Sequence, residues 1–147
     1  MDIKSLLKSL NEHDVRYVVI GAYAFPFYGY SRATIDVDIF IEPQRKNAEK
    51  TLKALSDFGY DISDISTDDL LNKKILIRQY ILETDIHPFV MGVSFEQVWK
   101  NRRKGDIEGI ETYFASLDDL ILMKKSAARE KDLQDLKILQ KLKENQS

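Results

Sequence analysis

Apolar residues recur at the spacing of an α-helix in several parts of the chain, and these parts predict its helices. The first stripe, with Asp2 as its N-cap, is Ile3, Leu6, Leu7 and Leu10. A second helix begins at Pro43 and ends at Gly59. Its core stripe is Ala48, Leu52, Leu55 and Phe58. The other predicted helices cover 22–28, 67–72, a stretch after the capping residue Ser94, and a C-terminal helical segment at 116–144 that begins with Ser116 as its cap.

Short apolar runs and alternating positions predict the strands. Residues 16–20 form a buried strand, and 34–42 form a strand in which polar and apolar residues alternate. Further strands are predicted at 74–82, at 84–90 and, as a hairpin, at 107–114, and residues 60–65 are extended or a short strand. Since strands and helices are mixed, with helices at both ends, the pattern predicts an α+β fold, a mixed β-sheet with helices packed on one side of it.

Composition narrows the class of protein. With 147 residues, of which 44% are hydrophobic, the chain can bury one core, so we expect residues 1–147 to form a single domain. A net charge of −2 argues against a dedicated duplex-binding protein, and the lack of cysteine excludes disulfides, a thiol nucleophile and a zinc–thiolate site. The chain has no apolar run of membrane-spanning length and no signal-peptide shape at its N-terminus, so we expect a cytoplasmic protein without a membrane partner.

Asp36 and Asp38 are the most informative residues of the chain. Strand side chains alternate between faces, so both carboxylates project from one face while the aliphatic residues between them face a core. Those core residues are Ile35, Val37, Ile39 and Ile41. Two carboxylates so close repel each other, which a divalent cation commonly offsets. With Asp85 on the later strand as the third ligand, they predict a Mg²⁺ site; the alternatives are solvent-facing carboxylates and, for Asp85, a strand-end aspartate.

Gly21 follows the first buried strand. A glycine there lets a phosphate approach the backbone, and the helix that it opens presents N–H groups to an anion. Gly21 with Ala22 is a weak signal alone. Together with the Asp-x-Asp at 36–38, it predicts a nucleotide-phosphate site.

The pair of segments Ile20-Gly21-Ala22 and Asp36-Val37-Asp38-Ile39 resembles the nucleotidyltransferase signature of the DNA polymerase β superfamily. Ala22 departs from the usual Gly or Ser, so a serine hydroxyl to phosphate would be lost. Residues 84–89 and the small size look like the minimal nucleotidyltransferases, including the lincosamide nucleotidyltransferases. Residues 124–135 look more like toxin-type branches related to the abortive-infection nucleotidyltransferases. The resemblance covers most of the chain, residues 15–139.

This resemblance implies a polymerase β-like fold and a Mg²⁺-dependent transfer of an NMP group from a nucleoside triphosphate (NTP) to an acceptor hydroxyl. Asp36 and Asp38 would hold two Mg²⁺ ions, for which Mn²⁺ is the alternative, and Asp85 would complete the site of the first. The acceptor stays open between a small molecule, an RNA end and a partner protein of a toxin–antitoxin system. A homodimer that completes the acceptor pocket is compatible with the small size. The rival class is a nucleotide-binding or partner-binding module that has lost catalysis, which Ala22 would fit.

Residues before the Asp strand are further candidates for nucleotide binding. Ser31, Arg32 and Thr34 lie in the predicted loop. Beside a triphosphate, Arg32 is a bidentate phosphate ligand; otherwise it is a solvated loop arginine.

The C-terminal segment and the Asp85 strand supply the last candidates. Lys124 and Lys131 are predicted to share a helix face that approaches the triphosphate, with Arg129 nearby; the alternative is a solvated basic face. His87 shares the face of Asp85 and is either a general base for the acceptor, a partner that orients a metal ligand, or a structural histidine.

Overall fold

The computed structural model describes residues 2–146, and a six-stranded sheet forms its centre. The strands are β1 (Tyr17–Ile20), β2 (Asp36–Ile41), β3 (Ile75–Ile77), β4 (Glu83–His87), β5 (Arg103–Ile107) and β6 (Ile110–Phe114). Their order across the sheet is β3-β4-β2-β1-β6-β5. β1 is antiparallel to β2 and parallel to β6, while β2 is parallel to β4. The sheet is therefore mixed, which confirms the prediction.

Helices precede, follow and interrupt the strands. The α-helices are α1 (Ile3–Glu12), α2 (Arg45–Phe58), α3 (Thr67–Asn72), α4 (Phe95–Asn101), α5 (Leu117–Ala127) and α6 (Glu130–Asn145). Three predicted N-caps are confirmed, because the side chains of Asp2, Ser94 and Ser116 each accept a hydrogen bond from the backbone N–H three residues later. The fold is α+β, as the pattern of elements predicted.

The core explains why β1 and β2 lie at the centre of the sheet. All four residues of β1 are buried, which is typical of a strand covered on both faces. Leu6, Leu7 and Leu10 of α1 are fully buried, and α1 is tied to α2 by a hydrogen bond of 2.7 Å from Ser9 Oγ to Ala54 O. The strand that carries the candidate carboxylates therefore lies in the best-packed part of the molecule.

The predicted core face of β2 is right for Val37, Ile39 and Ile41 but wrong for Ile35. Ile35 is 57% exposed and precedes the first residue of β2. Phe40, on the face of the carboxylates, is also buried, so the alternation ends after Asp38.

Several predicted elements are shorter or of another type. Residues 22–28 form two 3₁₀ helices, Gly21–Tyr23 and Phe25–Tyr28, rather than one α-helix. Residues 60–65 form no strand, and the strand predicted at 74–82 ends at Ile77. There the side chain of Gln79 hydrogen-bonds the backbone of Asp61, which anchors the connection to α2 instead of extending the sheet.

Candidate active site

The parallel pairing of β2 with β4 brings the candidate carboxylates side by side. Asp38 lies opposite Asp85 in this register, and Asp36 lies opposite Glu83. One ligand atom each from Asp38, Asp85 and His87 lies within 4.8 Å of the others, a spacing that one cation can bridge. The sheet register thus unites three of the sequence-derived candidates in one group.

Asp36 projects beside this group rather than within it. Its Oδ1 is buried and has no hydrogen-bond partner. Thr34 fixes the start of the strand, because Thr34 Oγ1 accepts a hydrogen bond of 3.2 Å from the Asp36 N–H. Glu83 is a fourth carboxyl group at this end of the sheet, and it was not among the site residues predicted from the sequence. A hydrogen bond with the Asp36 side chain, together with burial, raises the pKa of Glu83.

Asp85 faces two cations that the sequence analysis also missed. Arg78 Nη1 lies 2.7 Å from Asp85 Oδ1, and Lys74 Nζ lies 3.9 Å from Asp85 Oδ2. Since the Asp85 side chain is only 8% exposed, these cations compensate a buried charge. In the sequence, the only indication of a role for Lys74 and Arg78 was that both lie in the strand predicted at 74–82, which precedes the strand of Asp85.

His87 lies against Asp38. Its Nε2 is 2.8 Å from Asp38 Oδ1, and both side chains are largely buried. A histidine in this position holds the carboxylate in one orientation, as partners of metal ligands commonly do.

Gly21 lies beside Asp38 at the end of β1, the strand next to β2. Ile20 lies opposite Asp38 in the pairing of β1 with β2, and Gly21 follows with a φ of +69°. A Cβ atom at Gly21 would clash with Asp38 Oδ2. Only glycine therefore allows both this backbone conformation and the approach of the carboxylate. Ala22 is buried in the core, so its methyl group lies away from the cleft.

A cleft of about 140 Å³ lies between the carboxylates and the C-terminal helices. Its polar lining consists of Asp38, Lys74, His87, Lys124, Arg129 and Asp132. Gly21 forms part of the same wall. Three cations thus face one cleft beside the acidic strand ends, an arrangement suited to a polyanion held near a metal ion.

Two buried aspartates of α6 hold Lys124, Arg129 and the nearby Arg32 in place. Lys124 Nζ lies 3.1 Å from both Asp132 Oδ1 and Asp135 Oδ2. Arg129 Nε lies 2.6 Å from Asp132 Oδ2, and Arg32 Nη1 lies 3.2 Å from Asp135 Oδ2. The side chains of Asp132 and Asp135 are 1% and 3% exposed, so this is a buried ionic network.

The predicted helix face shared by Lys124 and Lys131 is wrong. Helix α5 ends at Ala127, Ala128 has a φ of +53°, and α6 begins at Glu130. The two lysines therefore lie on different helices, and Lys131 is exposed outside the cleft lining. Ser31 is likewise exposed and does not line the cleft.

The ionic network predicts a loss of stability in acid. Burial alone would raise the pKa of Asp132, but hydrogen bonds from Arg129 and Lys124 outweigh it and lower that pKa from 3.8 to about 2. Because the folded-state pKa is depressed, the contribution is fully present above pH 4 and is lost as the pH falls toward 2. A shift of this size corresponds to about 2 kcal/mol of unfolding free energy.

Urea unfolding at several pH values between 7 and 2.5 measures this effect. Asp132→Asn should flatten the acid limb of the stability curve, whereas the exposed Asp64→Asn should leave it as in the wild type. An unchanged acid limb in Asp132→Asn would show that the network contributes no pH-dependent stability.

A mixed sheet that carries its carboxylates on two parallel neighbouring strands, next to a glycine turn, is the arrangement of a polymerase β-like nucleotidyltransferase fold. The chain belongs to the family described as "nucleotidyltransferase of unknown function (DUF6036)", whose family model matches residues 1–144. No functionally curated protein matches the chain. Within residues 2–146, no helix has the length and apolar character needed to cross a membrane.

Proposed function

We propose that this nucleotidyltransferase transfers an NMP group from an NTP to an acceptor hydroxyl with the help of divalent cations bound by Asp36, Asp38 and Asp85. The observation that carries the proposal is the group of ligand atoms from Asp38, Asp85 and His87 within 4.8 Å, next to a cleft lined by cations. Carboxylates can bind the metal ions, and the basic side chains beside them can bind the phosphate oxygens. This combination suits a metal-bound triphosphate.

The donor atoms fit a hard divalent cation. A buried oxygen without a hydrogen-bond partner is present on Asp36, where a metal would supply the missing interaction. Carboxylate oxygens are the ligands that Mg²⁺ prefers. Mn²⁺ is the alternative, because it also suits a site with carboxylate ligands.

The reaction requires little covalent work from the protein. Bound divalent cations would polarise the phosphates and lower the pKa of the acceptor hydroxyl. The hydroxyl loses its proton to solvent, and its oxygen forms a bond to the α-phosphorus. The bond from the α-phosphorus to the bridging oxygen breaks, and pyrophosphate leaves with the electron pair. In this proposal His87 keeps Asp38 oriented, and the contact of 2.8 Å between them supports that role.

The cations of the cleft would bind the triphosphate. Lys124 and Arg129 line the cleft and are held by Asp132, and Lys74 lines it from the side of Asp85. Arg32 contacts Asp135, which places it at the edge of the same network. Cations that are already positioned lose little side-chain entropy when a phosphate binds.

Lys124→Gln should weaken binding of the Mg–NTP complex about 10- to 100-fold, because a charge-assisted hydrogen bond contributes about 1.5–3 kcal/mol. Isothermal titration calorimetry with each NTP in Mg²⁺ measures the affinity. Lys125→Gln is the matched control, since Lys125 is the next residue of α5 and is exposed. Equal affinities in the two variants would remove Lys124 from the nucleotide site.

The second candidate is a nucleotide-binding module without catalysis. The observation that favours it is the pairing of Asp85 with Arg78 and Lys74, which would have to rearrange before Asp85 could bind a metal. Such a module would bind Mg–NTP but release no pyrophosphate with any acceptor. Pyrophosphate release by the wild type therefore separates the two candidates.

A further inference from the structure

A second groove lies on the Asp36 side of the site. One cavity of about 440 Å³ lies between the first 3₁₀ helices and the β5–β6 hairpin, and another of about 270 Å³ lies beside Thr34 and Ile35. Ile3 and Tyr23 line both cavities, so the two adjoin. Because Thr34 is hydrogen-bonded to the backbone of Asp36, the groove ends next to the candidate metal ligands.

The charge of this groove is opposite to that of the nucleotide cleft. Its lining carries the carboxylates Asp2, Asp106 and Glu108. Within the described chain, neither cavity is lined by a lysine or an arginine. Tyr23 lines both cavities and so connects this acidic end to Thr34, which precedes the carboxylate strand.

The groove also exposes several large apolar side chains to solvent. Ile81 is 90% exposed, Ile35 is 57% exposed and Phe27 is 42% exposed. Phe27 stacks on Phe114 at 4.9 Å, and a Cβ atom at Gly105 would lie only 2.5 Å from the Phe27 ring. The hairpin therefore leaves room for this ring to form a wall of the groove. Apolar surface bordered by charge is typical of a binding site.

The geometry of phosphoryl transfer gives the groove a role. The attacking and leaving oxygens lie roughly in line across the phosphorus, so the acceptor must enter from the side opposite the pyrophosphate. Under the proposed function, the β- and γ-phosphates lie in the cleft lined by Lys124 and Arg129. The groove shares no lining residue with that cleft and reaches Thr34, which is hydrogen-bonded to the backbone of Asp36.

We infer that this groove binds the acceptor, and that the acceptor is a polypeptide segment that presents its hydroxyl beside a lysine or arginine and an apolar side chain. The inference rests on the proposed function and specifies its acceptor. Asp106 and Glu108 pair with the cation, while Phe27, Ile35 and Ile81 contact the apolar residue. The new bond joins the serine, threonine or tyrosine oxygen of the segment to the α-phosphorus, its proton goes to solvent, and pyrophosphate leaves.

Charge and shape separate a polypeptide from other acceptors. An RNA end would bring phosphates next to Asp106 and Glu108, which repel them. Small-molecule sites bury most of their ligand, whereas this groove is open along a rim of exposed aliphatic residues. An extended segment matches an open groove that has an apolar part and a charged part.

The test uses the full chain with Mg²⁺ and α-labelled NTP, and three sets of acceptors. The first set contains peptides in which serine, threonine or tyrosine lies between lysine and leucine, and the second replaces lysine with glutamate. The third contains RNA oligonucleotides and hydroxylated small amines. We expect label in the lysine peptides at least about tenfold above the glutamate peptides, as charge complementarity of several groups predicts.

Glu108→Gln should lower kcat/KM for the lysine peptides by up to about fivefold, the effect of one exposed ion pair. Glu108→Lys should favour the glutamate peptides instead. Neither change should alter the affinity for Mg–NTP. Glu111→Gln is the matched control, because Glu111 is an exposed residue of the same hairpin that pairs with Lys104 and does not line the groove.

Three results would overturn the inference: equal labelling of both peptide sets, labelling confined to RNA or to the small amines, or the same loss in Glu108→Gln and Glu111→Gln.

Calorimetry with Mg–NTP distinguishes failure of the polypeptide-acceptor inference from failure of the proposed function. Mg–NTP binding without labelled lysine peptides overturns the polypeptide acceptor alone, whereas absence of Mg–NTP binding overturns the nucleotide site and the acceptor together.

Discussion

Asp38→Asn should lower the rate of nucleotidyl transfer by about 10³-fold, because loss of the proposed metal ligand would remove about 4 kcal/mol of transition-state stabilisation. Asp38 is the residue where three parts of the site meet. It contributes to the ligand group with Asp85 and His87, and Gly21 is packed against its carboxylate. The isosteric amide keeps the shape of the side chain, so the fold should persist. Pyrophosphate release with Mg²⁺ and NTP measures the rate, and thermal unfolding measures stability.

Asp64→Asn is the control for this variant, since Asp64 is an exposed aspartate in a turn. It should retain the wild-type rate. An Asp38→Asn variant that keeps more than about a tenth of the wild-type rate, a difference of only 1.4 kcal/mol, would contradict the role of Asp38 as a metal ligand.

Gly21→Ala should also abolish most of the activity and, in addition, destabilise the fold. At a φ of +69° an alanine costs about 1–2 kcal/mol in backbone strain, and its methyl group must displace the Asp38 carboxylate. Because a displacement of about 1 Å at a reacting centre can cost about 10²-fold, activity should fall further than stability accounts for. Urea unfolding and pyrophosphate release, measured on the same preparation, separate the two effects.

Gly29→Ala separates backbone strain from the clash. Gly29 has a φ of +94°, and a Cβ atom there would meet no heavy atom within 4 Å. This variant should lose stability to a similar extent while it keeps its activity. If both glycine variants lost activity equally, the packing of Gly21 against Asp38 would have no specific part in the site.

The sequence was sufficient for those parts of the site that depend on local periodicity. The common face of Asp36 and Asp38 follows from the two-residue repeat of a strand, and the structure brings Asp38 and Asp85 into register on neighbouring strands. The caps of α1, α4 and α5 were also readable, because each cap needs only a side chain and an N–H three residues apart.

Features that depend on which strands pair were not readable from the sequence. Glu83 lies opposite Asp36 because β2 and β4 are parallel in one particular register, and Arg78 reaches Asp85 through the short connection after β3. No local pattern encodes either contact. Ile35 was predicted to be a core residue because it alternates correctly with the two aspartates. The alternation does not show where the strand begins, and Ile35 lies before that point.

The break between α5 and α6 was missed for another reason. Ala128 adopts a left-handed conformation at the end of α5, although alanine is a strong helix former and neither glycine nor proline marks the site. Arg129 then bonds Asp132 as in a capping box, a role in which serine or threonine is usual. The buried network of Asp132 and Asp135 with Lys124 stabilises this break, and such tertiary contacts override local propensity.

The transfer of an NMP group is tested most directly by two labels on the same NTP. The wild-type protein is incubated with Mg²⁺, an acceptor and NTP labelled either at the α-phosphate or at the γ-phosphate. The proposed chemistry predicts that the α-label stays on the acceptor and that the γ-label leaves as pyrophosphate. Transfer of the γ-label to the acceptor, or its release as inorganic phosphate, would contradict nucleotidyl transfer at Asp36, Asp38 and Asp85.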